Sequence, residues 1–262
     1  MSPLTVVHSE PVARTSVSQV RSMLLSLGIP MELVLRIMSI AEYHPTQRTE
    51  RPEYVRINAG GQANTNACWA AKLYLVSKPL LRSPEDQFWR VKKVIWELEG
   101  HDQGWVGDPE RTRGEYVRAS SWYDACIFRP LQADGVYVAN LMEIDRIGRT
   151  FTDPKEGMLA VQELLRAAGW TMVTHGPDND LLTWRLQSNR IAQSRDERHV
   201  FEWSVDQPAV TEDARSHGSF DGDGFVEALQ PGDRIGIWMR AQLYGWECHT
   251  TRASVSIMYE FR

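Results

Sequence analysis

The sequence predicts a mainly β fold: a two-sheet antiparallel β-sandwich of jelly-roll type, with a short N-terminal helical arm and one helical insertion. Three observations carry this. Residues 94–99, Val-Ile-Trp-Glu-Leu-Glu, alternate so that Val94, Trp96 and Leu98 face one way and Ile95, Glu97 and Glu99 the other. Residues 253–261 alternate more cleanly still, with Ala253, Val255, Ile257, Tyr259 and Phe261 on one side. Between and around these runs lie many short apolar segments separated by turn residues such as Asp134-Gly135 and Pro231-Gly232-Asp233, with no repeat of 20–50 residues that would point to a propeller.

Residues 1–16 are polar and aperiodic. Val20, Met23, Leu24 and Leu27 then recur at helical spacing up to Gly28, a stop signal, and Pro30 opens a second helix whose apolar face is Leu33, Val34, Ile37, Met38 and Ala41. Helices this short do not persist alone, so residues 1–45 read as an arm that docks on something larger. Residues 46–66, with Gly60-Gly61 and several Asn, read as a linker or open loop. The main domain then runs over 67–262. Its strands are expected at 69–76, 91–99, 115–118, 122–128, 135–141, 182–187, 199–206, 234–241 and 252–261. One helix is expected at 154–168, opened by Asp153-Pro154, closed by Gly169, and buried through Met158, Val161, Leu164 and Leu165.

Composition narrows the function classes. The chain has 262 residues, 42% hydrophobic and 24% charged, which is ample for one large domain. A net charge of -5 argues against nucleic acid, because groove binding needs a basic footprint, and Arg111, Arg113 and Arg118 are interleaved with Asp108, Glu110 and Glu115. No apolar run reaches membrane-spanning length and no leader-like segment opens the chain, so a soluble cytoplasmic protein is the expectation, without a membrane partner. Three scattered Cys suit reduced thiols.

Motifs for nucleotide, nucleophile-elbow and zinc-protease chemistry are missing, and the seven His show no metal-ligand spacing, so neither metal nor cofactor is expected. Asp221-Gly222-Asp223-Gly224 reads as a surface turn, since the closing Glu of a calcium loop is missing. What stands out is ten Trp. Those in strands fill a core, whereas Gly104-Trp105 and Gly245-Trp246 each place a ring on a hinge at a strand end. His101 and Gln103 follow one strand, Arg185 and Asn189 belong to another and its exit, and Tyr244 precedes the last Gly-Trp. A site at one end of the sandwich is therefore expected from His101, Gln103 and Arg185 as polar groups, with Trp105, Trp122, Asn189, Tyr244 and Trp246 as binding residues. The pair His101-Asp102 reads equally as a catalytic couple or as a loop brace.

Three resemblances add to this. The segments HDQGW at 101–105, GEY at 114–116, SSWYDA at 120–125, LQSN at 186–189 and GDRIGIWMRAQLYGW at 232–246 resemble a poorly characterised group of fungal proteins. LGIPMELVLRIMSIAEY at 27–43 resembles the opening helix of an F-box, which implies an adaptor contact. The resemblance stops after the first third of that module, and a helix packed on the main domain is the plain alternative. The scaffold is also similar to cofactor-free cyclases of fungal natural-product pathways, of the norbornene-forming Diels–Alderase type.

Two functions follow as expectations. The first is a cofactor-independent cyclase that folds an apolar small-molecule substrate in an aromatic-lined pocket, with His101, Gln103 or Arg185 polarising a carbonyl. The alternative is a recognition module that binds a glycan or a protein through its loop end. A closed apolar cavity would favour the enzyme, and a shallow aromatic groove rimmed by carboxylates the module. The oligomeric state is not legible.

Overall fold

A computed structural model describes residues 14–60, 69–81, 89–107, 113–131, 158–176, 181–205, 217–220 and 222–261. Two five-stranded antiparallel sheets pack face to face. The first is ordered β1 (Thr46–Arg51), β10 (Glu247–Phe261), β4 (Trp89–His101), β8 (Glu197–Ser204), with β2 (Val55–Asn58) beside the first residues of β10. The second is ordered β3 (Trp69–Val76), β9 (Arg234–Gln242), β5 (Ser121–Pro130), β6 (Trp170–Met172), with β7 (Trp184–Ser188) also on β5. This is the two-sheet antiparallel sandwich that the alternating segments predict, and β3, β4, β5, β7, β8, β9 and β10 fall where the sequence places strands.

The core lies between the sheets. Val94, Trp96 and Leu98 of β4 meet Val255, Ile257 and Tyr259 of β10 on one wall, and Tyr123, Ala125, Ile127, Ile235 and Ile237 form the other. At one end the ring of Phe225, in the one-turn helix α4 (Phe225–Ala228), touches Trp96, Trp184 and Trp203 edge-on at centroid distances of 5.5, 5.0 and 5.1 Å. Two of these indoles donate to backbone, Trp184 to the Asp223 carbonyl and Trp203 to the Phe220 carbonyl, whereas the buried Trp96 N–H has no hydrogen-bond partner among the described residues. Gly222-Asp223-Gly224 is thus a turn, as expected, and it has an internal task. Gly222 has φ of 62°, and a Cβ there would lie 2.1 Å from the Trp203 ring.

The helix expected at 154–168 is seen as α3 (Met158–Ala167); residues 154–157 lie outside the described range. It covers the outer face of the second sheet, where Val161 and Leu165 meet Phe128, Trp170, Met172 and Trp238. Its buried Gln162 holds β6 by donating to the Met172 carbonyl (2.8 Å) and accepting the Met172 N–H (3.0 Å). The arm forms a hairpin of α1 (Arg14–Ser26) and α2 (Met31–Ile40), joined through Gly28 at φ 76°, with its own small core of Val17, Val34 and Met38. Leu33 and Ile37, expected on the docked face, are exposed.

Two expectations are corrected. Residues 46–51 and 55–58 are strands, not linker. Their sequence gives no period-two signal because β1 binds through charge on the outer face of its sheet. Arg48 pairs with Glu97 at 2.9 Å and Glu50 with Arg252 at 2.6 Å. Residues 115–118 form a turn, with Arg118 at φ 64°, because this stretch pairs with the loop after β7 instead of a sheet: Gly114 donates to Ile191 and Ile191 to Glu115. The strand expected at 135–141 lies outside the described residues. No described helix is long and apolar enough to cross a membrane.

Candidate functional site

The end of β4, the start of β10 and the end of β2 meet at one end of the sandwich, beside the β9–β10 turn and the loop after β7. Asp102 organises this end. Its buried carboxylate accepts backbone N–H bonds from Gly104 (2.7 Å), Ala192 (2.6 Å) and Gln193 (2.9 Å), which ties the loop of Trp105 to the loop after β7. Burial pushes its carboxyl up from the ordinary value, against the pull of those three N–H groups. Asp102 is therefore a loop brace. His101 does not bond its carboxylate; the imidazole Nδ1 sits 2.6 Å from the Asp102 carbonyl oxygen and so carries the proton there.

Gln103 has the same bracing character. Its amide donates to the Trp105 carbonyl at 2.6 Å and its oxygen accepts the Glu247 N–H at 3.3 Å. That clamp presents Trp105, 58% exposed, over Gly245: a Cβ at 245 would lie 3.5 Å from the ring. Tyr244, 80% exposed, extends from the same turn and lies across Gly60. Trp246 turns inward and packs with Ala119, Ile191 and Ala192. Asn189 is buried as well, with its amide N–H on Ser121 Oγ (3.1 Å) and Cys248 Sγ (3.3 Å). Burial raises the Cys248 thiol to about 11.

Two expected site residues belong elsewhere. Trp122 and Arg185 lie on the outer face of the second sheet, because their strand neighbours Tyr123, Trp184 and Leu186 point into the core. There Arg185 is stacked on Trp122 at 4.5 Å and Phe220 at 5.1 Å, and donates to Ser188 Oγ at 3.2 Å. Trp122 donates to Asp124, whose carboxylate also takes Arg240 at 3.0 Å. Of the eight expected residues, the structure places His101, Gln103, Trp105, Tyr244, Asn189 and Trp246 at the loop end. Of these six, only Trp105 and Tyr244 offer large exposed rings.

Sequence reasoning missed a polar chain beside them on the outer face of the first sheet. Glu247 is held by an ion pair with Arg56 and by Asn58 Nδ2 at 2.7 Å. His249 Nε2 lies 2.7 Å from Glu247 Oε2, and Tyr54 Oη lies 2.8 Å from His249 Nδ1. His101 stacks on His249 with centroids 4.3 Å apart. Burial pulls His249 below the usual imidazole value, helped by His101 and Arg56 and opposed by Glu247. Glu247 is also held low: burial alone would raise it, but bonds from Arg56, His249 and Asn58 outweigh that. Among the described residues no three His, Cys, Asp or Glu side chains converge as a metal would need.

A separate cleft of about 390 Å³ opens at the opposite end, between Leu80, Leu81, Val91, Val226, Leu229 and Tyr259. None of the expected site residues lines it.

No family model matches the chain, and no curated protein matches it. Among solved structures it is similar to the decameric BFDV capsid protein, at 12% identity and a TM-score of 0.29 over 83% of this chain and 98% of that one. It is also similar to Merkel cell polyomavirus VP1 in complex with disialyllactose, at 11% identity and a TM-score of 0.15 over 82% and 95% of the two chains. Likenesses at these scores carry no argument about function.

Proposed function

We propose that this chain is a recognition module that binds a glycan at the loop end of its sandwich. One observation carries the reading: two exposed rings, Trp105 and Tyr244, are presented from a turn and loop whose polar groups are fixed by internal hydrogen bonds. A sugar offers C–H faces to lie on such rings, and hydroxyls that both donate and accept. Asn58, Gln103 and Glu247 are planar polar groups adjoining the rings. Each already makes a bond inside the protein that fixes its plane. Loops on a rigid sandwich commonly carry binding in this way.

The cofactor-free cyclase reading would use the cleft at the other end, where Leu80, Leu81, Val91, Val226 and Leu229 share the lining with Arg90, Glu227 and Gln230. It draws little support from His101, Gln103 and Arg185, since each is held in contacts of its own.

The test is a panel of oligosaccharides against the full chain, read by calorimetry, with Trp105→Ala and Tyr244→Ala beside it. Each exposed ring should change the melting point little and weaken binding roughly tenfold or more, the effect of about 1.4 kcal/mol. Folded variants with undiminished binding would overturn the location. Binding of a protein and no sugar would move the ligand class. Turnover of an apolar polyene aldehyde by the parent chain would move the case to the cyclase.

A further inference from the structure

We propose that Tyr54 is a base-activated nucleophile, with His249 as its base and Glu247 as the group that orients the base, able to accept an acyl group from an activated acyl donor. The inference does not require glycan binding, although Glu247 and Asn58 adjoin both sites. It rests on the continuous chain from the Tyr54 hydroxyl to His249 Nδ1 at 2.8 Å and from His249 Nε2 to Glu247 at 2.7 Å. A nucleophile, a base within hydrogen-bond reach and a third group aligning the base are the components of covalent catalysis on any fold.

The chemistry of the partners sets the proton positions. A carboxylate cannot donate, so the hydrogen between Glu247 and His249 sits on Nε2. Nδ1 is then bare and accepts the phenol O–H. Glu247 is itself fixed from two sides by Arg56 and Asn58, on the neighbouring strand β2. The register places His249 opposite Arg56 on one side and His101 on the other. The charged or titratable groups facing His249 are thus Tyr54 and Arg56, Glu247 on its own strand, and His101 of β4. Burial holds His249 below the usual imidazole value, which keeps it in the unprotonated form a base needs. Tyr54 is 60% exposed, open to a donor from solvent, while the His249 and Glu247 side chains are only 12% and 14% exposed.

In the step, the Tyr54 oxygen attacks the acyl carbon and forms the O–C bond as its proton passes to Nδ1. Glu247 stabilises the resulting imidazolium. The bond from the acyl carbon to the leaving group breaks, and the leaving group departs with the electron pair and takes the proton from His249. The products are O-acyl-Tyr54 and the protonated leaving group. No oxidant or metal takes part.

Tyr244 supplies an internal control, because it is more exposed and has no imidazole beside it among the described residues. The full chain is treated with N-acetylimidazole, and acetylation at each tyrosine is followed by peptide mass spectrometry while donor consumption is followed in parallel. Tyr54 should react roughly 10²-fold faster than Tyr244, the low end of what general-base assistance contributes. His249→Ala should bring Tyr54 to the Tyr244 rate, and Glu247→Gln should bring it part of the way. The Tyr54 rate should level off above the titration of His249, whereas the Tyr244 rate keeps rising with pH. If His249 also hydrolyses the ester, donor consumption rises without label, and Tyr54→Phe must then abolish it. Equal or faster reaction at Tyr244 in the parent chain, with no excess donor consumption, would overturn the proposal, and this comparison needs no variant to fold. So would a folded His249→Ala chain whose Tyr54 reacts as in the parent.

Discussion

Replacing Asp102 by Ala tests whether this residue is a brace. The substitution removes the acceptor of three backbone N–H groups, on Gly104, Ala192 and Gln193, that join two loops from different strands. Ala192 is buried, so its N–H loses its partner without water to replace it, at about 1–3 kcal/mol. Gly104 and Gln193 are part-buried and water can reach them, so each contributes less, about 0.5–1 kcal/mol. Relief of the charge's own burial offsets part of the sum, which leaves about 2–4 kcal/mol. For a chain of this size about 3 kcal/mol lowers the melting point by roughly 6–12 °C. Asp102→Asn should cost less, since its oxygen can still take Gly104 and Gln193 and only the Ala192 bond is lost. Urea and thermal unfolding of both variants measure this. An Ala variant within about 0.5 kcal/mol of the parent, the usual scatter of surface substitutions, or an Asn variant as damaged as the Ala one, would refute the reasoning.

Other expectations are as direct. Phe225→Ala removes the ring that three Trp share and should cost about 3–5 kcal/mol in urea unfolding, as large core truncations do. Gly100→Ala should be destabilising by about 1–3 kcal/mol or more, because its Cβ would lie 2.1 Å from the His249 carbonyl oxygen and 2.3 Å from the Tyr123 hydroxyl; a melting point equal to the parent's would contradict that. Stability should fall as pH falls below 6.5. Burial holds His44, His199 and His249 below that value in the folded chain, so the unfolded chain binds protons first and draws the equilibrium toward itself. Below pH 4.5 the loss continues as Glu97 and Glu247, held low by their ion pairs, are protonated; Asp102, shifted the other way, opposes this only in part. Calorimetric scans at pH 5 and 7 check the sign, and a higher melting point at pH 5 would contradict it.

The sandwich was legible where a strand is apolar on one face and polar on the other. Trp96 and Leu98, or Val255 and Ile257, announce themselves because burial selects their alternation. Strand β1 was not legible, because Thr-Gln-Arg-Thr-Glu-Arg is held by backbone pairing to β10 and by ion pairs. Its partners lie some 200 residues away in sequence, as Arg48 and Ser256 do. In the site, Trp105 and Tyr244 were legible as rings beside glycines. Arg185 was misplaced because which face of the second sheet it occupies depends on how β7 pairs with β5, which residue spacing does not reveal.

The polar chain was hidden for a more specific reason, and that reason also explains its position. Extending the alternation of 253–261 backwards puts His249 and Glu247 inside and Cys248 and Thr250 outside. The structure has the reverse: Cys248 and Thr250 are fully buried, while Glu247 and His249 face Arg56 and Tyr54. The cause is a break in register between Thr250 and Arg252, where β10 takes one extra residue against β4 and its parity inverts. Thr250 stands opposite Gly100 at this point, and the space a Cβ would need there is taken by the His249 carbonyl and the Tyr123 hydroxyl. The glycine permits close approach of the two backbones at the bulge, and the bulge turns two polar side chains outward beside β2. One irregularity in the longest strand thus sets which residues form the core and which form the site.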